Sequence, residues 1–239
     1  MKQLELLYEG KSKPIYATDS AERVVVSFKD DATAFYNIKR AKIENKGKMN
    51  CTISSKILAF LNANGVDTHF VEQLDETSQI CKVVEHMPFE VIVRNVIAGS
   101  MAKRLGIDEG VVPENTIFDL CLKDEELGDP LINDHHAVAL GVATYEELVK
   151  IYEISARVNK LLTELYASVG IRLVDFKIEF GRAADGALVL ADELTPDTCR
   201  IWDAETGERM DKDRFRRDLG RVGETYQEVA HRICNALNK

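Results

Sequence analysis

IRLVDFKIEFGRAADGALVLADE, residues 171–193, reads as a strand, a turn and a returning strand. Side chains of a strand alternate between two faces. Val174, Phe176, Ile178 and Phe180 fall on one face, which suits a core. Asp175, Lys177 and Glu179 fall on the other. AADGA (183–187) has the small and turn-forming residues of a tight connection, and LVLADE (188–193) returns. The register decides where Asp192 goes. If paired residue numbers sum to an odd value near 367, Asp192 joins the Asp175, Lys177 and Glu179 face. An even sum puts it on the opposite face, because a one-residue slip reverses every side chain. The charged face itself has two readings. It is a solvated outer face of an antiparallel sheet, or a row of ligands around a metal-bound phosphate. On the odd register, carboxylates converge with no thiol or imidazole, a donor set suited to Mg²⁺.

Helices flank this hairpin. Upstream, Thr144 and Glu147 form a T-x-x-E capping box. Leu148, Tyr152, Val158, Leu161, Leu162, Leu165 and Val169 continue as an apolar stripe that Gly170 ends. Downstream, ELTPDTCRIWD (193–203) holds a Pro196-Asp197 turn, then Arg200 and the single tryptophan, Trp202. The last helical pattern runs from about Glu224 to Leu237. Residues 106–141 are rich in loop formers, and a long irregular loop in a compact domain is usually functional. The adjacent His135 and His136 in it would point apart in a strand, and no other histidine lies at ligand spacing. A structural role is the expectation for both.

Further upstream, FEVIVRNV (89–96) is strand-like, and RNVIAGSMAKRLG (94–106) continues into a short helix opened by Gly99 and Ser100 and ended by Gly106. Such a helix start can cap itself with serine or accept a phosphate, with Arg94 adding a planar two-pronged contact. His86-Met87-Pro88 reads as a joint, since Pro88 holds its predecessor extended. Before it come strands at LELLYEG, PIYAT, RVVVSF, VDTHFV and QICKVVE. A helix over about Cys51–Asn62 interrupts them and stops at Asn64-Gly65. The pattern predicts a small mixed sheet with a helix on one face. The turn EGKSK (9–13) offers Gly10, Lys11, Ser12 and Lys13. It is a plain hairpin turn, or a cover for nucleotide phosphates like the glycine-rich hairpin of kinases. It lacks the G-x-x-x-x-G-K-[ST] of a Walker A loop, and no G-x-G-x-x-G occurs.

Composition bounds the rest. The chain has 239 residues, 45% hydrophobic and 30% charged, which suits one large or two small folded domains. Its 40 acidic and 31 basic residues give a net charge of −9, unfavourable for bulk nucleic-acid binding. No run approaches a membrane span, and the start has no apolar signal core, so the expected compartment is the cytoplasm. Five widely spaced cysteines without a C-x-x-C argue against a disulfide framework or a zinc site.

HMPFEVIVRNVIAGS (86–100) and LVDFKIEFG (173–181), with EGKSK, NKGKMN (45–50) and ELTPDTCRIWD in this order, resemble the SAICAR synthetase family of purine biosynthesis along nearly the whole chain. The resemblance implies an ATP-dependent ligase joining L-aspartate to the carboxylate of carboxyaminoimidazole ribotide, with an acyl phosphate on the way. It implies an α+β fold in two layers, with ATP in the cleft between residues 1–86, like a kinase ATP lobe, and a larger domain, 87–239. It also implies that Gly10, Lys11, Ser12 and Lys13 cover the ATP phosphates. Lys82, Glu85 and Met87 belong to the hinge that reads adenine, and Glu179 and Asp192 hold Mg²⁺. Arg94, Ser100 and Arg200 hold the ribotide phosphate, Asp175 and Lys177 face the reacting groups, and Lys123 and Asp129 serve the aspartate pocket. Homodimers are frequent in the family. Some relatives carry an acidic residue near His135 and Gly-Ser at Thr198-Cys199, which argues against roles for His135 and for position 199.

Two other classes compete. A small-molecule kinase on the same scaffold would also bind Mg²⁺-ATP but would need no aspartate. A non-catalytic nucleotide sensor would have no use for paired metal-holding carboxylates.

Overall fold

Short β-branched and aromatic runs in the first eighty residues assemble into a five-stranded sheet. The computed structural model describes residues 2–10, 13–35 and 38–238. Its first elements are β1 (Gln3–Glu9), β2 (Pro14–Thr18), β3 (Arg23–Ser27), the separate hairpin β4 (Asp31–Ala34) and β5 (Lys39–Lys42), α1 (Lys46–Ala63), β6 (Phe70–Gln73) and β7 (Ser78–Lys82). The sheet order is β1-β2-β3-β7-β6. Every ladder in it is antiparallel, so the sheet is not mixed.

Helix α1 starts five residues before the expected Cys51. Its N-terminal amides are satisfied from a distance, since the Asp30 carboxylate accepts from Gly47 N–H (2.9 Å) and Asn45 N–H (3.3 Å). That cap is invisible to a local N-cap search, because Asn45 itself makes no side-chain cap. Gly47 is required there, since an added Cβ would collide with the Phe28 carbonyl.

The chain leaves the first sheet at Lys82 and, after two connecting residues, enters β8 (Glu85–Arg94). His86-Met87-Pro88 therefore lies inside a strand, and the crossing is Val83-Val84. Helix α2 (Gly99–Leu105) follows and ends at Gly106, whose φ of 65° a glycine adopts without strain. The stretch expected as loop contains β9 (Ile117–Leu122), β10 (Leu131–Ile132) and α3 (Asp134–Ala139). IFDLCL pairs residue for residue with β8, and that long-range ladder outweighs the surrounding turn formers. The two histidines are on a helix, not a strand. His136 accepts the Asn133 N–H within a capping box (3.3 Å), and His135 Nδ1 hydrogen-bonds the Tyr145 hydroxyl at 2.7 Å.

α4 (Tyr145–Ser168) begins at the Thr144–Glu147 capping box. After it come β11 (Ile171–Arg182), β12 (Leu188–Ala191), β13 (Cys199–Asp203), α5 (Asp213–Arg216) and α6 (Val222–Leu237). The second sheet runs β10-β9-β8-β11-β12, with β13 also on β11. Val91, Val93, Phe176, Ile178 and Phe180 cover Leu148, Val158 and Leu162 of α4, Val229 and Ile233 of α6, and Ile53 and Ile57 of α1. Each such side chain contributes about 1.5–3 kcal/mol on full burial. One core thus binds both sheets to a shared helical layer.

One expectation for β11 needs correction, and the open choice of register closes. Val174 is not on the face of Phe176; it packs with Val96, Ala98 and Trp202. A register shift against β13 between Leu173 and Asp175 reverses the alternation at that point. The β11–β12 register is also even, with Glu179 opposite Ala191 and Phe180 opposite Leu190. Regular β geometry would send Asp192 to the core face. Asp192 instead has φ 64°, outside the strand region, and its carboxylate turns to the charged face.

Candidate active site

The cleft between the sheets holds a cavity of about 860 Å³, bordered by Gly10, Lys13, Lys82, Lys177, Glu179 and Asp192. A second cavity, about 1490 Å³, continues past α2 and shares Glu90, Arg94, Ser100, Lys177 and Arg200 with the first. Lys177 therefore stands where the two spaces meet.

Its ammonium lies 2.8 Å from Glu179 Oε1, 3.3 Å from Glu90 Oε2 and 3.4 Å from Asp192 Oδ2. Lys123 Nζ donates to Glu179 Oε2 at 2.6 Å. Lys13 pairs with Asp192 and, at 3.0 Å, with Glu193. Burial opposes the charge of Lys177, but Asp192, Glu179 and Glu90 outweigh it and hold its pKa well above the ordinary lysine value. Lys177 is a fixed cation and not a base. Burial and the Asp192 charge push Glu179 up, yet Lys177 and Lys123 bring it below the usual carboxylate value. Burial is likewise overcome at Asp192, where Lys13 and Lys177 hold the carboxyl far below its usual value. Glu90 is the exception, raised by burial despite Lys177.

Within this set of contacts, three ammoniums thus face four carboxylates. The surplus is negative, the donors are hard oxygens, and both Glu179 and Asp192 stay ionised. Such a set fits a divalent cation of the Mg²⁺ kind, which keeps waters and shares phosphate oxygens. No described group of three or more acidic, histidine or cysteine side chains forms a closed metal cage. The fit is to an ion held partly by its ligand.

The other end is built on Asp175, only 3% exposed. Arg94 Nη1 reaches its Oδ2 at 3.0 Å and Arg200 Nη1 at 2.9 Å. Arg94 Nε also donates to Asp119 (2.8 Å), and Arg200 Nε to Asp213 (2.9 Å). Gly99 allows this approach, since a Cβ there would collide with the Arg200 guanidinium. Ser100 is exposed in the first turn of α2. The Gly99 N–H in that turn is occupied by Glu109 Oε1 at 2.8 Å.

The structure thus brings together Lys13, Lys123, Lys177, Glu179 and Asp192 at one end, and Arg94, Ser100, Asp175 and Arg200 at the other. Gly10 and Lys82 border the first cavity. Asp129 borders the second and accepts the Asp124 N–H at 3.0 Å. Glu85 and Met87 do not line the first cavity: Glu85 is exposed beside Arg182, and Met87 is inside the core. Lys11 and Ser12 lie outside the described residues. Sequence reading missed Glu90, Glu193, His69 and Lys212, all bordering the first cavity. Glu90 could have been found from its period-two spacing with Arg94 on β8, and Glu193 from its place beside Asp192. His69 carried no local signal.

The chain resembles known proteins over nearly its full length. The family model described as SAICAR synthetase matches residues 6–233. Phosphoribosylaminoimidazole-succinocarboxamide synthase of Clostridium perfringens is 59% identical over 235 residues, covering 98% of this chain and all of that protein. A crystal structure of the synthase of the same name from Ehrlichia chaffeensis superposes with a TM-score of 0.94 at 44% identity, covering 97% of this chain and 99% of the other. A SAICAR synthetase in complex with ADP superposes with a TM-score of 0.93, also at 44% identity, over 97% and 98%.

Proposed function

The chain belongs to the SAICAR synthetase family, and on that footing we propose how its two joined cavities divide the work. It is an ATP-dependent ligase of purine biosynthesis that joins L-aspartate to the carboxylate of carboxyaminoimidazole ribotide, releasing ADP and phosphate. A carboxylate is a poor electrophile, so the reaction needs activation. We read the order as follows. A ribotide carboxylate oxygen attacks the γ-phosphorus of ATP and ADP leaves, forming an acyl phosphate. The aspartate amine then attacks the acyl carbon, phosphate departs, the amine loses a proton, and the C–N bond remains.

The single observation that carries this reading is Lys177, one ammonium within 3.4 Å of Glu179, Glu90 and Asp192 and bordering both cavities. A permanent cation at the junction counters the charge that builds on the oxygens passing between nucleotide and ribotide. Lys13 and Gly10, with Lys11 and Ser12 of the same turn, are assigned to the ATP phosphates. Lys82, Glu85 and Met87, which flank the Val83-Val84 crossing, are assigned to the adenine hinge through main-chain contact alone, since the Met87 side chain is in the core and Glu85 does not line the cavity. Arg94, Ser100 and Arg200 are assigned to the ribotide phosphate, with Asp175 holding both guanidinium groups in place. Lys123 and Asp129 are assigned to the aspartate side. Glu179 and Asp192 would hold Mg²⁺, which when bound neutralises charge on the nucleotide phosphates. Holding the reactants together contributes on the order of 7–11 kcal/mol on the effective-molarity scale.

Residues 1–86 serve in this reading as the nucleotide lobe and 87–239 as the substrate domain. The working unit is taken as a cytoplasmic homodimer, following the family habit, and light scattering of the purified chain tests its mass. The test of function is ADP release with the ribotide, with and without aspartate. Turnover that requires aspartate and yields the amide is expected. Full turnover without aspartate, leaving a stable phosphorylated ribotide, would identify a small-molecule kinase instead.

A further inference from the structure

Asp192 reaches the cavity only because its backbone leaves the strand. The residue follows Ala191, the end of β12, and the even register would set it opposite Ile178 on the core face. Its φ of 64° lies in the left-handed region, which aspartate tolerates better than most L-residues but which is uncommon at the end of a strand. The group that meets this residue's main chain is His69. Its Nε2 lies 3.1 Å from the Asp192 carbonyl oxygen. A carbonyl can only accept, so Nε2 carries the hydrogen, which fixes the tautomer.

His69 is itself held on both sides. Its N–H donates to the Leu190 carbonyl at 2.8 Å, and its carbonyl accepts the Lys82 N–H at 2.7 Å. Leu190 N–H donates to the Asp67 carbonyl at 2.9 Å, completing a parallel bridge between Thr68 and Leu190. His69 is 6% exposed and borders the cavity; it stands just before β6, with its main chain bonded to Lys82 of β7 and its ring to the residue that follows β12. It is placed as a strut, with its one ring donor spent on the residue whose conformation is unusual.

We propose that His69 is a positioning residue: by donating Nε2–H to the Asp192 carbonyl it fixes the left-handed turn that presents the Asp192 carboxylate, and so sets the divalent-cation affinity of the nucleotide site. The inference rests on the reading of Asp192 as a cation ligand. It couples the two sheets to cation binding, because the strut is anchored in both.

The test is Mn²⁺ binding to the full chain saturated with ADP, followed by electron paramagnetic resonance, in wild type and in His69→Phe, His69→Gln, His69→Asn and Asp192→Asn. Phe keeps an aromatic ring and has no donor. Gln places an amide N–H near the position of Nε2, and the Asn amide falls short of it. Expected is about a tenfold loss of Mn²⁺ affinity in the Phe and Asn variants, near-wild-type affinity in the Gln variant, and unchanged metal-free ADP binding in all three. Wild-type Mn²⁺ affinity in the Phe and Asn variants, with binding lost in Asp192→Asn, overturns the role of His69 and leaves the ligand reading standing. Wild-type affinity in Asp192→Asn overturns both. Should His69→Phe fail to fold, equal affinities in the Gln and Asn variants overturn the inference, because they differ in reach to the carbonyl.

Discussion

Lys177 Nζ lies 2.8 Å from Glu179 Oε1, and both groups carry charge in a cleft where burial penalises charge. Replacing Glu179 by Gln keeps the shape and removes the anion. Lys177 then still faces Glu90 and Asp192, so the fold retains a partner for the buried ammonium. Glu179→Gln is expected to lower kcat by about 10²–10³, the usual scale for loss of a charge-stabilising group. The melting temperature should move by no more than roughly 4 °C. Steady-state ADP release and a thermal melt decide it; a variant with near-normal kcat removes Glu179 from the chemistry.

Arg94 and Ser100 are assigned to the same phosphate but differ in what else they support. The Arg94 side chain is 2% exposed and is one of two guanidinium groups on the buried Asp175. Arg94→Ala therefore costs stability as well as ribotide binding, about 1.5–3 kcal/mol for a lost hydrogen bond to a charged group, because Arg200 stays on Asp175. Ser100→Ala should raise the ribotide KM roughly fivefold, the scale of one hydrogen bond, with stability unchanged. ADP affinity should be unaffected in both. Titration calorimetry with each ligand and urea unfolding separate the effects, and an unaltered ribotide KM in Ser100→Ala takes that hydroxyl out of the site.

What could be read from the chain was local. The T-x-x-E box at Thr144 predicts the start of α4, because cap and capped amide are three residues apart. The hairpin at 171–193 is legible from its alternation and its Asp185-Gly186 turn. The start of α1 is not, because Asp30 caps it from across a loop. Nor is β9, whose pairing with β8 is a tertiary choice. Asp192 shows the limit most directly. On alternation alone Asp192 meets Lys177 only in an odd register, and the structure brings them together in an even register with a left-handed residue. Alternation arithmetic cannot anticipate a φ imposed by a neighbour distant in sequence.

Asp213 sets an acid limb on stability. Burial raises its pKa, but Arg200 and Arg216 outweigh that and hold it at about 2, against an ordinary 3.8. The unfolded chain thus takes up this proton first as pH falls. The stabilisation is complete above about pH 4 and is lost as pH drops through about 2. The shift corresponds to about 2 kcal/mol. Asp213→Asn should start less stable at pH 7 and lose less between pH 4 and pH 2 than wild type. Urea unfolding across that range checks the slope, and parallel pH profiles for the two proteins would contradict it.

Asp197, which borders the same cavity as Lys177, ties three segments together. Lys46 Nζ of α1 approaches its Oδ2 at 2.5 Å, Asn50 Nδ2 donates to the same oxygen at 3.1 Å, and the Tyr226 hydroxyl of α6 donates to Oδ1 at 2.7 Å. The Lys46 and Asp197 side chains are 2% and 4% exposed. Removing the ammonium leaves a buried carboxylate without its direct salt-bridge partner, with the Lys212 charge still nearby, and costs about 3 kcal/mol. Removing the hydroxyl alone leaves that pair intact and costs about 1.5–3 kcal/mol, the range for a hydrogen bond to a charged group. Lys46→Met should therefore lower the unfolding free energy more than Tyr226→Phe, and Tyr226→Phe should keep kcat within twofold. The order is the check: if the tyrosine variant is the less stable of the two, α6 is anchored mainly by that hydroxyl, and the ion pair is secondary.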